Sequence, residues 1–192
     1  MMLEHLRTET RALHEALERR GPMARLLAPD LTLAEYGALL ARLHGLYAPL
    51  EDRLARHADA LPVPLAPRAP HLRADLAALG LAAHAADAPP EASEGVPPAE
   101  PRALPDVPDA AAALGVLYVL EGAALGGQVI ARHVRRTLAL TPAHGLAFFT
   151  GDADGTGARW VRFRDALAAS PADPDAVAAS ARATFSAFHT RL

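Results

Sequence analysis

The side chains with the widest chemical capacity in this 192-residue chain are its nine histidines, at positions 5, 14, 44, 57, 71, 84, 133, 144 and 189. No two of them are three or four residues apart, which excludes a two-histidine zinc site on one helix. No Glu-x-x-His repeat of the kind that binds a di-iron centre occurs either. A metal-binding histidine would therefore act alone, as the axial ligand of haem does, because the porphyrin supplies the remaining nitrogens.

His14 is the strongest candidate because of its neighbours on the first predicted helix. At helical spacing Arg7, Arg11, His14 and Glu18 fall within about 60° of one another. Glu18 is one turn from His14 and can accept a ring N–H bond, which would direct the other ring nitrogen towards a metal. Arg7 lies roughly 10 Å away along the helix axis, within reach of a haem propionate. The alternative is an ordinary surface stripe of ion pairs with a half-buried histidine.

A second unusual feature is the apolar stretch Leu114 to His133, which contains Gly115, Gly122, Gly126 and Gly127. Each glycine inside a helix costs roughly 1 kcal/mol of helix stability relative to alanine. Gly115, Gly122 and Gly126 lie within about 40° of one another on a helix. One face of this helix is therefore almost bare backbone, which suits close approach by either another helix or a flat ligand.

Aromatic and cationic residues elsewhere could complete a haem site. Tyr47 and Tyr118 could organise water near a bound gas, although an ordinary core tyrosine with a partner for its hydroxyl is the simpler interpretation. Phe185 and Phe188 could line an apolar pocket or pack in the core. A cationic helix end that suits either propionates or solvent is formed by Arg159, Arg162 and Arg164.

Composition places these residues in a helical protein. Half of the residues, 51%, are hydrophobic and only 5% are aromatic, and the abundant alanine and leucine favour helices. The net charge of −3 provides no basic surface for nucleic acid. The absence of cysteine excludes disulfides, thiolate catalysis and iron–sulfur clusters. The N-terminus lacks the apolar core of a signal peptide and no apolar run approaches 18 residues, so we expect a cytoplasmic protein without a membrane span.

Helical periodicity and capping residues predict an all-α, single-domain chain over residues 1–192. The predicted helices are Leu3–Arg20, Leu33–Arg56 with a kink or break near Tyr47 caused by Pro49, His71–Ala86, Asp109–Leu138, Ala158–Ala169 and a last helix from Asp173 to the C-terminus. Residues 88–108 contain seven prolines and predict a surface loop. The glycine-rich run 141–157 predicts a solvated turn, for which a metal loop is the less favoured alternative.

Together these residues resemble the haem oxygenase family, and most closely its bacterial, biliverdin-producing branch. The segment LRTETRALHEALE places His14 at the family's proximal histidine, Glu18 at its hydrogen-bonding glutamate and Arg7 at a propionate-binding cation. The segment LYVLEGAALGGQV resembles the distal-helix signature, and LARLHGLYAPLE places Tyr47 at a distal-pocket tyrosine. The resemblance implies an all-α fold in which haem lies between a proximal and a glycine-rich distal helix.

The resemblance also implies the chemistry. Haem is both cofactor and substrate, and it is opened to biliverdin with release of carbon monoxide and ferrous iron. The electrons come from an external reductase or a ferredoxin, and a bacterial phytochrome is a possible recipient of biliverdin. The predicted catalytic residues are Tyr47, Gly122 and Gly126. The predicted haem-binding residues are Arg7, Arg11, His14, Glu18, Tyr118, Gly122, Ala123, Gly126, Arg162 and Phe185, with His14 as the iron ligand.

One position departs from the family pattern. Many members carry an aspartate directly after the first distal glycine, where it orders the waters that supply protons. This chain has Ala123 there, followed by Ala124 and Leu125. Proton delivery would then depend on Tyr47, backbone carbonyls and water. The alternative function is a haem carrier or sensor on the same fold that does not degrade haem.

Overall fold

A computed structural model describes residues 1–81, 104–151 and 153–192, and these residues are mainly helical without a β-strand. The helices, in chain order, are α1 (Met2–Glu18), α2 (Gly21–Arg25), α3 (Leu33–Ala55), α4 (Ala69–Ala78), α5 (Ala110–Leu138), α6 (Ala147–Thr150), α7 (Ala153–Ala169) and α8 (Pro174–Arg191). A short 3₁₀ turn spans Ala58–Ala60. The prediction of an all-α protein is confirmed.

Most helix starts lie where the capping residues predict them. Thr32 and Glu35 form a complete capping box at the start of α3, with the Glu35 N–H donating to Thr32 Oγ1 at 3.2 Å and the Thr32 N–H donating to Glu35 Oε2 at 2.9 Å. Helix α3 continues as one helix through Pro49 to Ala55, so the predicted break near Tyr47 is wrong, and a kink there stays a prediction. Leu46, Leu50 and other residues around the proline are fully buried, and this packing offsets the one backbone hydrogen bond that proline removes.

Helix α4 ends earlier than predicted, at Ala78 instead of Ala86. Gly80 adopts a left-handed backbone with φ +72°, and its N–H donates to the Ala77 carbonyl at 3.0 Å. The Leu81 N–H donates to the Leu76 carbonyl at 2.8 Å, which completes a Schellman motif. Of the proline-rich segment predicted as a surface loop, residues 88–103 lie outside the described part of the chain and residues 104–108 lie within it. Beyond it, Arg53 Nη1 donates to the Leu104 carbonyl at 2.8 Å.

The run 141–157 is a solvated turn only at its start, where residues 141–144 are exposed. It contains α6, whose Phe148 and Phe149 are each only 5% exposed. The buried carboxylate of Asp75, on α4, accepts the N–H of Ala147 at 2.7 Å and that of Phe148 at 2.8 Å. Asp75 thus satisfies the free N–H groups at the start of α6. A contact between distant parts of the chain, invisible in the local sequence, draws this run into the core.

We expect Asp75→Ala to lower the free energy of unfolding by about 3 kcal/mol, because two buried N–H groups lose their acceptor. Urea denaturation monitored by circular dichroism measures this change. Asp59→Ala is the matched control, since Asp59 is exposed on the 3₁₀ turn, and it should change the stability by less than about 0.5 kcal/mol. Equal stability of the two variants would show that α6 is held by its phenylalanines alone.

The long helix α5 is apolar enough, by length and composition, to cross a membrane, with a mean hydropathy of 1.6 over 18 residues. The expectation that no apolar run approaches 18 residues is therefore wrong for α5. However, 56% of the window is buried inside the protein, and core helices have the same composition. The helix packs most extensively against α8, and α8 also packs along α1. Helix α8 thus joins the predicted proximal helix to the predicted distal one.

Candidate functional site

The face of α1 that carries the candidate ligand is open to solvent. The His14 side chain is 55% exposed, and its Nδ1 lies 3.7 Å from Glu18 Oε1. This separation is within ion-pair range but too long for a good hydrogen bond. The ring also contacts Phe185 of α8 edge-on, at 5.7 Å between centroids. His14 is therefore oriented on two sides, by Glu18 and by Phe185, and its Nε2 has no hydrogen-bond partner within the described chain.

Some of the arginines predicted to bind the haem propionates are exposed and unpaired within the described part of the chain, whereas another is already in an ion pair. Arg7 and Arg11 on α1 and Arg162 on α7 are exposed, and no ion pair to them is present among the described residues. Arg159 does not belong to this set. Its guanidinium is bound to Glu121 of α5, so the predicted cationic helix end loses one member to the interior.

The aligned glycines of α5 serve two different purposes: one allows close packing with another helix, and the others leave an open surface. A Cβ on Gly115 would lie 2.7 Å from Ser180 Cβ and 2.9 Å from the Ala181 nitrogen, both on α8. Close helix packing therefore explains this glycine. A Cβ on Gly122 or Gly126 would have no atom within 4 Å. The remainder of the face is open to solvent, with space for a flat ligand.

The surroundings of the open glycines are small and apolar. Ala123 is exposed and carries no proton donor, while Leu125 and Val129 are 41% and 53% exposed. Tyr118 is partly buried, with its ring 6.3 Å from that of Trp160 on α7. Leu125 and Val129 extend the apolar surface around the two open glycines. We refer to Gly122, Gly126 and the exposed side chains of Leu125 and Val129 as the glycine face.

Tyr47 lies in the core behind α5 and not among the exposed residues of the glycine face. It is 2% exposed, with Phe148 and Phe188 edge-on at 5.1 and 5.7 Å. Burial raises the pKa of its hydroxyl, so the group keeps its proton and is able to donate a hydrogen bond. A cavity of about 20 Å³ adjoins it, lined among others by Glu51, Arg68, Leu120 and Glu121. This volume accommodates one water molecule.

Several contacts that position the site were not predicted from the sequence, although Gly127 and Arg159 were themselves noted there. Gly127 packs against Phe149 of α6, at 3.5 Å from a built Cβ to the ring. Gln128 Nε2 donates to the Thr150 carbonyl at 2.9 Å. Together with the Glu121–Arg159 pair, these contacts hold α5 on both sides of the glycine face. A glutamate inside an otherwise apolar helix was the one available signal, because such a charge needs a buried partner.

The fold and site together define an all-helical protein that presents an exposed histidine on its first helix and, on its central helix, an open apolar surface around two glycines. The haem oxygenase family model matches residues 1–192. A curated heme oxygenase of Xanthomonas campestris pv. campestris (strain 8004) is 37% identical over 168 residues, which cover 82% of this chain and 88% of the relative. The chain belongs to the haem oxygenase family.

Family membership establishes the chemistry at the general level. Haem oxygenases are oxidoreductases that bind haem as both cofactor and substrate and cleave it oxidatively to biliverdin, carbon monoxide and ferrous iron. The residues present fit such a ligand, because the open glycines leave space for a flat ring and His14 is exposed enough to bind iron. The predicted family, enzyme class and cofactor are confirmed.

Proposed function

We propose that haem binds between the exposed face of α1 and the glycine face of α5, within one domain that spans the chain, with His14 as the iron ligand. The observation that carries this proposal is the open surface at Gly122 and Gly126 on a helix that shares α8 with α1. Glu18 lies 3.7 Å from the other ring nitrogen, and we expect it to close on this nitrogen and accept its N–H when haem binds, which would set the tautomer and raise the basicity of the iron-binding nitrogen. Phe185, edge-on to the imidazole of His14, fixes the orientation of that ring.

The free arginines suit the two propionates. Arg7 and Arg11 lie on the same face of α1 as His14, and Arg162 lies on α7, which contacts both α1 and α5. A guanidinium binds a carboxylate with paired hydrogen bonds, which sets the orientation of the ring as well as its affinity. The arginines therefore influence which edge of haem faces the glycine face.

The distal residues control the approach to the ring and the supply of protons. Bound haem supplies the iron that activates dioxygen, and the glycines let the α5 backbone lie close to the ring. Ala123 provides neither acid nor hydroxyl. We assign to Tyr47 the ordering of the water that supplies protons, because its hydroxyl keeps its own proton and adjoins a water-sized cavity next to Glu121.

The function is tested by adding haem, an electron-donor system and dioxygen to the protein. We expect the haem absorption to be replaced by that of biliverdin, with one equivalent of carbon monoxide per haem. Haem that remains intact under these conditions would contradict turnover and favour the carrier or sensor alternative. A ferredoxin and a flavin reductase are the electron donors to compare. A bacterial phytochrome as biliverdin acceptor and a cytoplasmic location stay predictions, to be checked by chromophore transfer and by cell fractionation.

We expect Tyr47→Phe to slow biliverdin formation roughly tenfold while haem affinity stays within about threefold, because the water that relays protons loses the hydroxyl that orders it. Single-turnover absorbance and haem titration measure the two quantities. Tyr36→Phe is the matched control. Tyr36 is equally buried but its hydroxyl donates to the Gly145 carbonyl at 2.9 Å, so the variant should lose stability without a change in rate. Equal rates for Tyr47→Phe and the unmodified protein would exclude Tyr47 from proton supply.

A further inference from the structure

Glu121 is the residue immediately before Gly122 on α5, and it forms an ion pair with Arg159 of α7. Arg159 Nε donates to both carboxylate oxygens at 2.9 Å, and Nη2 donates to Oε1 at 2.6 Å. The side chains are only 10% and 17% exposed. Burying two charges gives little net stability compared with an apolar pair. A forked pair does, however, restrict the relative position of the two helices that carry it.

The segment next to this pair depends on support from outside itself. Gly122 and Gly126 have no side chain and no neighbour within 4 Å of a built Cβ, so packing does not hold this side of α5. Each glycine also weakens the helix by roughly 1 kcal/mol relative to alanine. The C-terminal side is held by Gly127 against Phe149 and by the Gln128–Thr150 hydrogen bond. The N-terminal side is held from α7, by Glu121–Arg159 and by the packing of Tyr118 on Trp160.

We propose that Glu121 and Arg159 are a positioning pair that sets the rotation of α5 at the glycine face, and thereby which carbon of the haem ring is cleaved. The inference rests on the proposed haem site between His14 and the glycine face. A rotation of α5 by 20° moves its backbone by about 0.8 Å, given a helix radius of about 2.3 Å. A shift of this size changes which edge of the ring the backbone at Gly122 covers, while the α1 side of the site is unaffected.

The pair also keeps this end of the glycine face electrically neutral. Glu121 adjoins Gly122, and an unpaired carboxylate there would attract water and cations to the edge of the haem site. Arg159 compensates that charge through bidentate contact. Lysine at position 159 would keep the charge but replace the fork with a single point contact. Arg159→Lys therefore separates geometry from charge.

The test compares Arg159→Lys, Glu121→Gln and the exchanged pair Glu121→Arg with Arg159→Glu. Arg164→Lys is the matched control, because Arg164 is on the same helix but its pair with Asp165 is exposed, at 3.4 Å. Amide hydrogen exchange of the haem-free protein is the first readout. We expect exchange at residues 122–126 to rise at least tenfold in both single variants and not in the control, with residues 129–138 unchanged.

The distribution of biliverdin isomers, separated by chromatography, is the second readout. Both single variants should raise the minor isomers several-fold while haem affinity stays within about threefold, and the exchanged pair should restore the original distribution at least in part. A lower melting temperature with unchanged isomers and unchanged exchange at residues 122–126 would show that the pair only stabilises the fold, and would overturn the proposal.

Failure of the underlying haem site has a different signature. If the spectrum and affinity of His14→Ala match those of the unmodified protein, the site between α1 and α5 is wrong, whatever the isomer distribution. If His14→Ala loses the spectrum of axial ligation while the Glu121 and Arg159 variants keep the isomer distribution, the site stands and the positioning role is wrong.

Discussion

Gly122→Ala should make the haem-free protein more stable and its binding of haem weaker. Stability should rise by about 0.5–1 kcal/mol, because alanine is the better helix former and its Cβ would meet no atom within 4 Å. Haem affinity should fall about tenfold or more, since an added methyl group in a close contact costs roughly 1–3 kcal/mol. Thermal unfolding without haem and titration with haem measure the two effects. The opposite signs identify a glycine that is retained for its ligand.

Gly115→Ala is the matched control on the same helix face. Its Cβ would overlap the backbone and Ser180 of α8, so the variant should lose about 2–3 kcal/mol of stability. Haem affinity of the folded fraction should change little. If Gly122→Ala binds haem as tightly as the unmodified protein, the glycine face is not the haem surface, and its openness needs another explanation.

His14→Ala should remove the axial ligand and lower haem affinity by more than the roughly 10- to 100-fold typical of losing an outer hydrogen-bond partner. Its Soret band should shift to that of haem without a protein nitrogen ligand. Stability should be almost unchanged, because the side chain is 55% exposed. Haem titration followed by the absorption spectrum measures the affinity and the ligation state together.

Two further variants serve as comparisons for the effect of His14→Ala on haem affinity and on the Soret band. Glu18→Gln keeps a side-chain oxygen that can accept the ring N–H but removes the charge, so it should lower affinity about tenfold or less. His144→Ala changes an exposed histidine in the turn before α6, and it should leave both spectrum and affinity unchanged. A normal Soret band in His14→Ala, or its loss in His144→Ala, would refute the assignment of the axial ligand.

The elements that the sequence predicted correctly are those whose signals are local. The capping box at Thr32 and Glu35, the Asp109 cap of α5 and the Asp173-Pro174 start of α8 are all present. Each depends on side chains within one helical turn of the backbone groups that they satisfy. The end of α4 was missed although Gly80 marks it, because the apolar periodicity of the following residues favours a longer helix.

The errors at α3 and α6 have a different cause. Helix α3 continues through Pro49 because burial on both sides of the proline outweighs the lost hydrogen bond. Helix α6 forms in a glycine-rich run because Asp75, more than seventy residues earlier, accepts two of its N–H groups. Local propensity cannot account for an energy supplied by a distant part of the chain.

The sequence by itself determined the ingredients of the proposed haem site: the His14 and Glu18 spacing, the aligned glycines of α5 and the lack of cysteine that excludes thiolate ligation. These follow from helical geometry, which is local. Only the tertiary structure decided which glycine serves which purpose, with Gly115 against α8 and Gly122 open. It also moved Arg159 from the candidate propionate partners to Glu121. Whether a small residue or a charge faces a helix, a ligand or a counter-ion depends on what the fold brings beside it, and that is set by packing between residues far apart in the chain.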